Sequence, residues 1–355
     1  MASKEKTEEV EEHVEAEELD AERAAAVREE LGDDELVDML RDMVLIRRFE
    51  EHAGRSYQRR KIKGFCHLYS GQEAIAVGSI RATTDADYIV SHYREHGHAL
   101  AAGMGPKEVM AELYGKKTGC AGGKGGSMHL YDIEKKFMGG WGIVGGQTAL
   151  GAGLAFAIDY RDDDAVCLAY LGDGAIHQGI VHESLNMAKV WGLPLVCIVE
   201  NNQYGMGTAV DRVSSTTKLE KKADSHQIYN KAVDGQDVFQ VYDAVTKARQ
   251  RAIEEDEPTW LHLRTYRYYG HSMTDPATYR GKDEVQEQRD LRDPIVRLRN
   301  WLVEEEILGE DEIDGIDDEM DQVVKEAIAF ADDSDFPDES ALTSNVYVEW
   351  PGEID

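Results

Sequence analysis

Two polar turns, GDG at 172–174 and ENN at 200–202, carry the residue types that a hard cation and a diphosphate require. Asp173 offers a carboxylate and Asn202 an amide oxygen, and magnesium takes such oxygens in an octahedral set completed by phosphate and water. Glycine on either side of Asp173 lets main-chain amides approach a diphosphate at the start of the next helix. The same residues also fit a plain helix cap at Asp173 and a simple turn at Asn202. The twelve histidines are the natural proton carriers, because imidazole changes charge near neutral pH. His92, His96 and His98 are closely spaced, yet no zinc-type ligand pattern accompanies them. Together with His129 they read as structural residues in conspicuous loops.

The elements around the two turns must bring Asp173 and Asn202 together. DDDAVCLAYLGDG reads as a strand ending in a loop, QGIVHESLNMAKVWG as a helix closed by a glycine, and LPLVCIVENNQYG as a second strand. Both apolar runs are short and do not alternate, the pattern of parallel strands buried on both faces. A right-handed β-α-β unit of an open doubly wound sheet follows, with both turns at the carboxyl edge where such sheets bind ligands. Upstream, 33–62 is expected to be a helix capped by Asp33 or Asp34, with Leu36, Leu40, Met43, Val44 and Phe49 on its apolar face. Residues 70–82 are expected to form a helix capped by Ser70, with Glu73 completing a capping box. A strand, then a loop and a helix, is expected over 88–103. Residues 119–153 hold 12 glycines, so most of that tract is expected to be irregular main chain that can approach a ligand. ALGAGLAFAIDYR then reads as a helix, 239–255 as another, 258–268 as a strand and 269–285 as a loop. The acidic remainder reads as helical, ending in an irregular tail.

A chain of 355 residues, 42% hydrophobic with only 7 prolines, reads as an ordinary globular protein rather than a disordered one. The net charge of −31 sits at the ends: residues 1–35 hold 15 acids against 4 bases, and 302–355 hold 20 against 1. The body is nearly neutral, and the sign argues against nucleic acid as a partner. Residues 5–31 look helical and highly charged. The four cysteines form no CxxC pair and read as buried thiols of a reducing compartment. The first residues lack the apolar core of a signal peptide, and no apolar run approaches membrane-spanning length. A bacterial, cytoplasmic protein without a membrane partner is expected.

GDGAIHQGIVHESLNMAKVWGLPLVCIVENN resembles the thiamine diphosphate motif, a GDG followed by NN at the next strand tip. The ordered run of IRRFE, GFCHLYSGQEA, SHYREHGH, GGKGGSMH, GIVGGQ, ENNQYGMGT and RTYRYYGHSMTDP also has a family likeness. It resembles the alpha subunits of the thiamine diphosphate-dependent decarboxylating component of pyruvate dehydrogenase, two-subunit type. The resemblance implies an α/β thiamine diphosphate-binding fold: a doubly wound, mainly parallel sheet flanked by helices, with helical terminal extensions. The cofactor-binding domain would span 36–300, between an acidic helical or flexible extension at 1–35 and an acidic, mostly helical one at 301–355. Carried over by motif, Asp173, Asn202 and the Tyr204 carbonyl would ligate Mg²⁺. Tyr93, Arg94, Arg267 and His271 would hold the diphosphate, with Gly174, Ala175 and Gln178 beside it. The main chain of Gly142 and Val144 would meet the aminopyrimidine. His67 and His271 would be the catalytic histidines. Two departures from the family pattern, Tyr269 and the Ile176–His177 pair, lie next to these positions.

The implied reaction is oxidative decarboxylation of pyruvate, with transfer of the acetyl group to a lipoyl group of the dihydrolipoyl acetyltransferase. The resemblance also implies a beta subunit in an α₂β₂ tetramer, which supplies the glutamate that tautomerises the aminopyrimidine. Acetoin and branched-chain 2-oxo acid dehydrogenases are the neighbouring alternatives, and a non-catalytic binding subunit is the alternative of another class. A nicotinamide enzyme is disfavoured, because GAGLAF follows a glycine loop rather than a strand.

Overall fold

The computed structural model describes residues 19–346. Asp20 caps α1 (Ala21–Leu31) by accepting the Arg23 amide, and Gly32, at φ 83°, breaks the chain before α2 (Asp33–Gln58). Neither Asp33 nor Asp34 caps that helix; the Asp33 carboxylate instead receives the Arg28 guanidinium. All five residues expected on the apolar face of α2 are buried. The next helix, α3 (Glu73–Arg81), starts three residues later than expected and has no side-chain cap. Its Glu73 carboxylate accepts the Gly71 amide and the Arg47 guanidinium, so a long-range ion pair displaces the capping box.

There follow β1 (Tyr88–His92), α4 (His96–Ala101), α5 (Pro106–Leu113), β2 (Phe137–Trp141), α6 (Gly146–Arg161), β3 (Cys167–Gly172), α7 (Gly179–Trp191) and β4 (Leu195–Asn201). A small hairpin of β5 (Tyr204–Gly205) and β6 (Thr208–Ala209) precedes the short α8 (Val210–Val213). The chain continues through β7 (Tyr229–Asp234), α9 (Val238–Glu254), β8 (Thr259–Arg264), α10 (Lys282–Arg292), α11 (Pro294–Glu304) and α12 (Glu310–Asp333). The glycine tract is less irregular than expected, since it contains β2. Strand β7 had no expected counterpart. The part of 5–31 read as helical that precedes residue 19 lies outside the described residues, as do the last residues of the tail from 347.

Six parallel strands pair in the order β2-β1-β3-β4-β8-β7. Strand side chains alternate between faces, and here both faces are apolar. Leu168, Tyr170, Val196 and Ile198 join the core under α2, α3, α9 and α12, whereas Cys167, Ala169, Leu195 and Cys197 join the core under α6 and α7. This is a doubly wound α/β sheet. Gly192, left-handed at φ 65°, ends α7 as expected and returns the chain to β4 beside β3. No helix of the described residues is long and apolar enough to cross a membrane.

The acidity of α12 is partly answered inside the molecule. Its Glu319, Asp317, Asp321 and Asp332 face Arg41, Arg48, His52 and Lys61 of α2 and the turn that follows it. Beyond α12 the chain reaches back to the glycine tract and the residues leading into it: Lys116 Nζ donates to the Ser334 carbonyl at 2.8 Å, Lys117 pairs with Asp335, and Lys124 donates to Ser344.

That tract is also ordered from beneath. The buried Glu112 carboxylate of α5 accepts four main-chain amides, those of Ala121 and Gly123 on one oxygen and Gly125 and Gly126 on the other, at 2.7–3.1 Å. A Cβ at Gly119 would lie 2.5 Å from Glu112 Cα, so the approach requires glycine there. Charge-assisted bonds of this kind are the stronger class. Glu112→Gln leaves one amide-bearing end facing two N–H donors, and we expect it to lower stability by about 3 kcal/mol. Urea denaturation of the variant checks this; an unchanged midpoint would refute the role.

Candidate cofactor site

The ends of β1, β3, β4 and β8 come together at the carboxyl edge of the sheet. Asp173, directly after β3, is buried, and burial pushes its carboxyl up to about 6 against the pull of Arg267 and Arg94. A methyl group built on Gly205 would lie 3.6 Å from Asp173 Oδ2, so the β5–β6 hairpin closes directly over the GDG turn. Asn202 donates from Nδ2 to Gln72 Oε1 at 3.1 Å, which turns its Oδ1 the other way, toward Arg267. Arg267 donates to the Tyr204 carbonyl at 3.0 Å, to the Met206 carbonyl at 3.1 Å and to the Tyr279 hydroxyl. One guanidinium therefore touches two of the three expected metal ligands and acts on the third. The structure brings Asp173, Asn202, Tyr204 and Arg267 to one point.

Across from them lie the aromatic and histidine groups. The Tyr93 ring packs 4.6 Å from His67 and 5.7 Å from His271, and the two imidazoles are 5.3 Å apart. Burial raises the Tyr93 phenol, and the nearby Asp173 carboxylate raises it further, opposed by Arg94 and Arg267. Arg94 is wholly enclosed, and burial with Arg267 brings it down to about 10. Burial beside Arg94 lowers His67 to about 2 and His271 to about 3, so both are neutral over the ordinary pH range. The Nδ1 atoms of both histidines are buried without a hydrogen-bond partner. Buried polar atoms are seldom left so, and two at one point mark a place where a ligand completes the bonding.

The expected glycine contacts sit on the opposite wall. Gln178 is the N-cap of α7 and is exposed, while Gly174 caps the short 3₁₀ turn at Ala175–His177. Gly145, left-handed at φ 84°, has room for no Cβ because Gln178 lies 2.9 Å from where it would stand. Hence the 142–146 loop, with Gly142 and Val144, leans on the start of α7. Ile176 is buried and His177 exposed, so the departure at this pair is a packing change at Ile176. At Tyr269 the main-chain carbonyl accepts both Arg267 and Arg280, and neither bond involves its side chain.

The histidines carry a measurable sign. A histidine neutral in the fold binds its proton only after unfolding, so it lowers stability as pH falls below about 6.5. For His67 the loss continues toward its folded value of about 2. We expect His67→Asn to make the fall in stability between pH 6 and 4 shallower by up to about 1.4 kcal/mol per pH unit. Denaturation midpoints at pH 6, 5 and 4 test it, and an unchanged slope would remove the buried neutral histidine.

The sequence model of the dehydrogenase E1 component family matches residues 41–340. The chain belongs to that family. Three E1 alpha subunits are similar to it along most of their length. The pyruvate dehydrogenase E1 component subunit alpha of Rickettsia bellii (strain RML369-C) is 45% identical over 315 residues, 89% of this chain and 96% of that one. The protein of the same name from Rhizobium meliloti (strain 1021) is 49% identical over 306 residues, 86% and 88% of the two chains. The mitochondrial one of Solanum tuberosum is 47% identical over 315 residues, 88% and 80% of the two.

Within this E1 chain, several residues of the site escaped the sequence reading. Gln72 orients Asn202, and Arg280 donates to the carbonyls of Arg267 and Tyr269 while lying over the Tyr204 and Tyr266 rings. Tyr279 bridges Arg267 and Asp275. A Tyr-Arg pair placed shortly after the DP turn at 275–276 was the available signal. His92, His96 and His98 do not gather as ligands: His96 is held by Glu50 and Ser127, and His92 and His98 by Glu200.

Proposed function

We infer that this chain is the alpha subunit of a pyruvate dehydrogenase, working with thiamine diphosphate, Mg²⁺ and a beta subunit in an α₂β₂ tetramer. The reading is carried by one observation, the convergence of Asp173, Asn202 and the Tyr204 carbonyl opposite Tyr93, Arg94, His67 and His271. The donor set is a carboxylate, an amide and a carbonyl, oxygen ligands of the kind magnesium takes. The raised Asp173 carboxyl would be held ionised by a cation, and the unpartnered Nδ1 atoms of His67 and His271 await a polar ligand. The residues present fit the group.

Asp173, Asn202 and Tyr204 would hold the metal. Tyr93, Arg94, Arg267 and His271 would bind the diphosphate, with the Gly174 and Ala175 main chain and Gln178 beside it. Gly142 and Val144 would present main-chain groups to the aminopyrimidine. When bound, thiamine diphosphate supplies the carbanion chemistry and electron sink needed to release carbon dioxide from a 2-oxo acid. The protein's part is to orient, shield and move protons. The neutral imidazoles of His67 and His271 each have one nitrogen that accepts and one that donates, and both rings pack against Tyr93. The acetyl group would pass to a lipoyl group of the dihydrolipoyl acetyltransferase.

The open side of the site supports a partner chain. Ile143 is 75% exposed and Val144 41%, and the outer surfaces of α6 and α7 present Phe156, Tyr160, Val190 and Trp191 to solvent. Contiguous apolar surface of this kind marks protein contact, and a cofactor cleft between two chains is a common arrangement. A cytoplasmic location fits this reading. Lipoyl acetylation measured with pyruvate, acetoin and 2-oxoisovalerate tests the substrate. Pyruvate is expected to be the fastest; a clear preference for either of the others would replace it.

A further inference from the structure

Behind the candidate site lies a buried carboxylate that the cofactor reading does not use. Glu200, next to last in β4, is fully enclosed. Its Oε1 lies 3.0 Å from His98 Nε2, its Oε2 bonds to His92 Nε2, and it accepts the Tyr69 hydroxyl.

The protons follow from the partners. The Arg94 main-chain amide can only donate, and it donates to His92 Nδ1 at 3.0 Å. His92 therefore carries its proton on Nε2 and gives it to Glu200. Burial holds His98 below the usual histidine range, so it too is neutral. The Glu200 carboxylate at its Nε2 can only accept, so Nε2 is the donor and Ser91 Oγ, 2.9 Å from Nδ1, donates there. Three donors thus meet one carboxylate, an arrangement that replaces the hydration an enclosed charge loses.

What His92 holds then reaches the site. Arg94 donates from its two terminal nitrogens to the carbonyls of Leu68 and His271, both at 2.8 Å. Leu68 follows His67 and precedes Tyr69, itself bound to Glu200. Asn202 stands two residues after Glu200 on the same chain segment. The one carboxylate joins every segment that carries a group of the site's aromatic and histidine wall.

We propose that Glu200 is the positioning residue of this site, fixing Arg94 through His92 and thereby setting the diphosphate arginine and the two histidines in register. The proposal rests on the reading of Arg94, His67 and His271 given above. Charge alone is not the device; the pattern of acceptors is. Glutamine at 200 would present an amide N–H₂ to one of three donors. If it faced His92, the imidazole would have to move its proton to Nδ1, where it opposes the Arg94 amide.

The test uses the α–β complex and titrates thiamine diphosphate with Mg²⁺, following intrinsic fluorescence. We expect Glu200→Gln to weaken binding by about tenfold or more, and Glu200→Asp, which keeps an all-acceptor group, to recover part of it. His92→Gln keeps a donor toward Glu200 but removes the acceptor for the Arg94 amide, so it isolates the relay even where Glu200→Gln does not fold. It is expected to lose about tenfold in affinity with an unchanged melting temperature. Affinity within twofold of the parent in a folded His92→Gln complex would overturn the proposal while leaving the cofactor reading intact. A parent complex that binds no thiamine diphosphate would overturn both.

Discussion

Asp173→Ala yields a folded chain that no longer retains thiamine diphosphate and Mg²⁺. The carboxyl is buried, and burial raises it to about 6. In the cofactor-free chain it is therefore a cost rather than a support, and its removal should leave the melting temperature unchanged or slightly higher. Toward the metal the effect is opposite, since Asp173 is the only full carboxylate of the proposed set. Even partners one shell further out typically change affinity by about 10–100-fold. A direct ligand should exceed that range, so the expected loss is at least about a hundredfold. Asp173→Asn keeps an oxygen and should fall between. Calorimetric titration of cofactor and metal into the reconstituted variant decides it, and near-parent affinity would dismiss the assignment.

The second large effect is the dependence on a beta chain. Purified by itself and saturated with thiamine diphosphate and Mg²⁺, this chain should not decarboxylate pyruvate measurably with an artificial electron acceptor. The family resemblance puts the glutamate that tautomerises the aminopyrimidine on the beta subunit, and a positioned acid–base group of that kind is worth about 10²–10⁴-fold. The exposed Ile143 and Val144 would also leave the cofactor's ring end in water. Activity should return on adding the beta subunit. Turnover by the lone chain equal to that of the mixture would abolish the half-site view.

The β3–α7–β4 unit was legible because its signals are local: two apolar runs of strand length and a glycine where the helix must stop. Strands β2 and β7 were not. FMGGW lies within a glycine tract and becomes a strand only by pairing with β1, while YNKAVD is an edge strand whose first four residues are not buried and carry no apolar run. The expected Ser70 cap failed because Arg47, 26 residues earlier, takes Glu73 out of the capping box. Local propensity yields to tertiary pairing in such cases. Residue type and turn placement pointed to Asp173 and Asn202 as oxygen ligands while leaving a helix cap and a simple turn open; the proposed Tyr204, diphosphate and aminopyrimidine contacts came only from motif resemblance. Glu112 and Glu200 had no sequence signal. The first binds main-chain amides, and the second binds side chains 102–131 residues away.

The clasp between the glycine tract and the segment after α12 sets an order of events during synthesis. Lys116 and its Ser334 partner are 218 residues apart. At a ribosome's rate of roughly 5–20 residues per second, that separation is about ten to forty seconds of translation. Throughout that interval the nascent tract has Glu112, His96 and the pairing with β1 but lacks its contacts to 334–344. The β3–α7–β4 unit, whose contacts are short in sequence, can assemble long before. A nascent chain arrested before residue 334 should accordingly present a protected sheet centre and a glycine tract still open to protease.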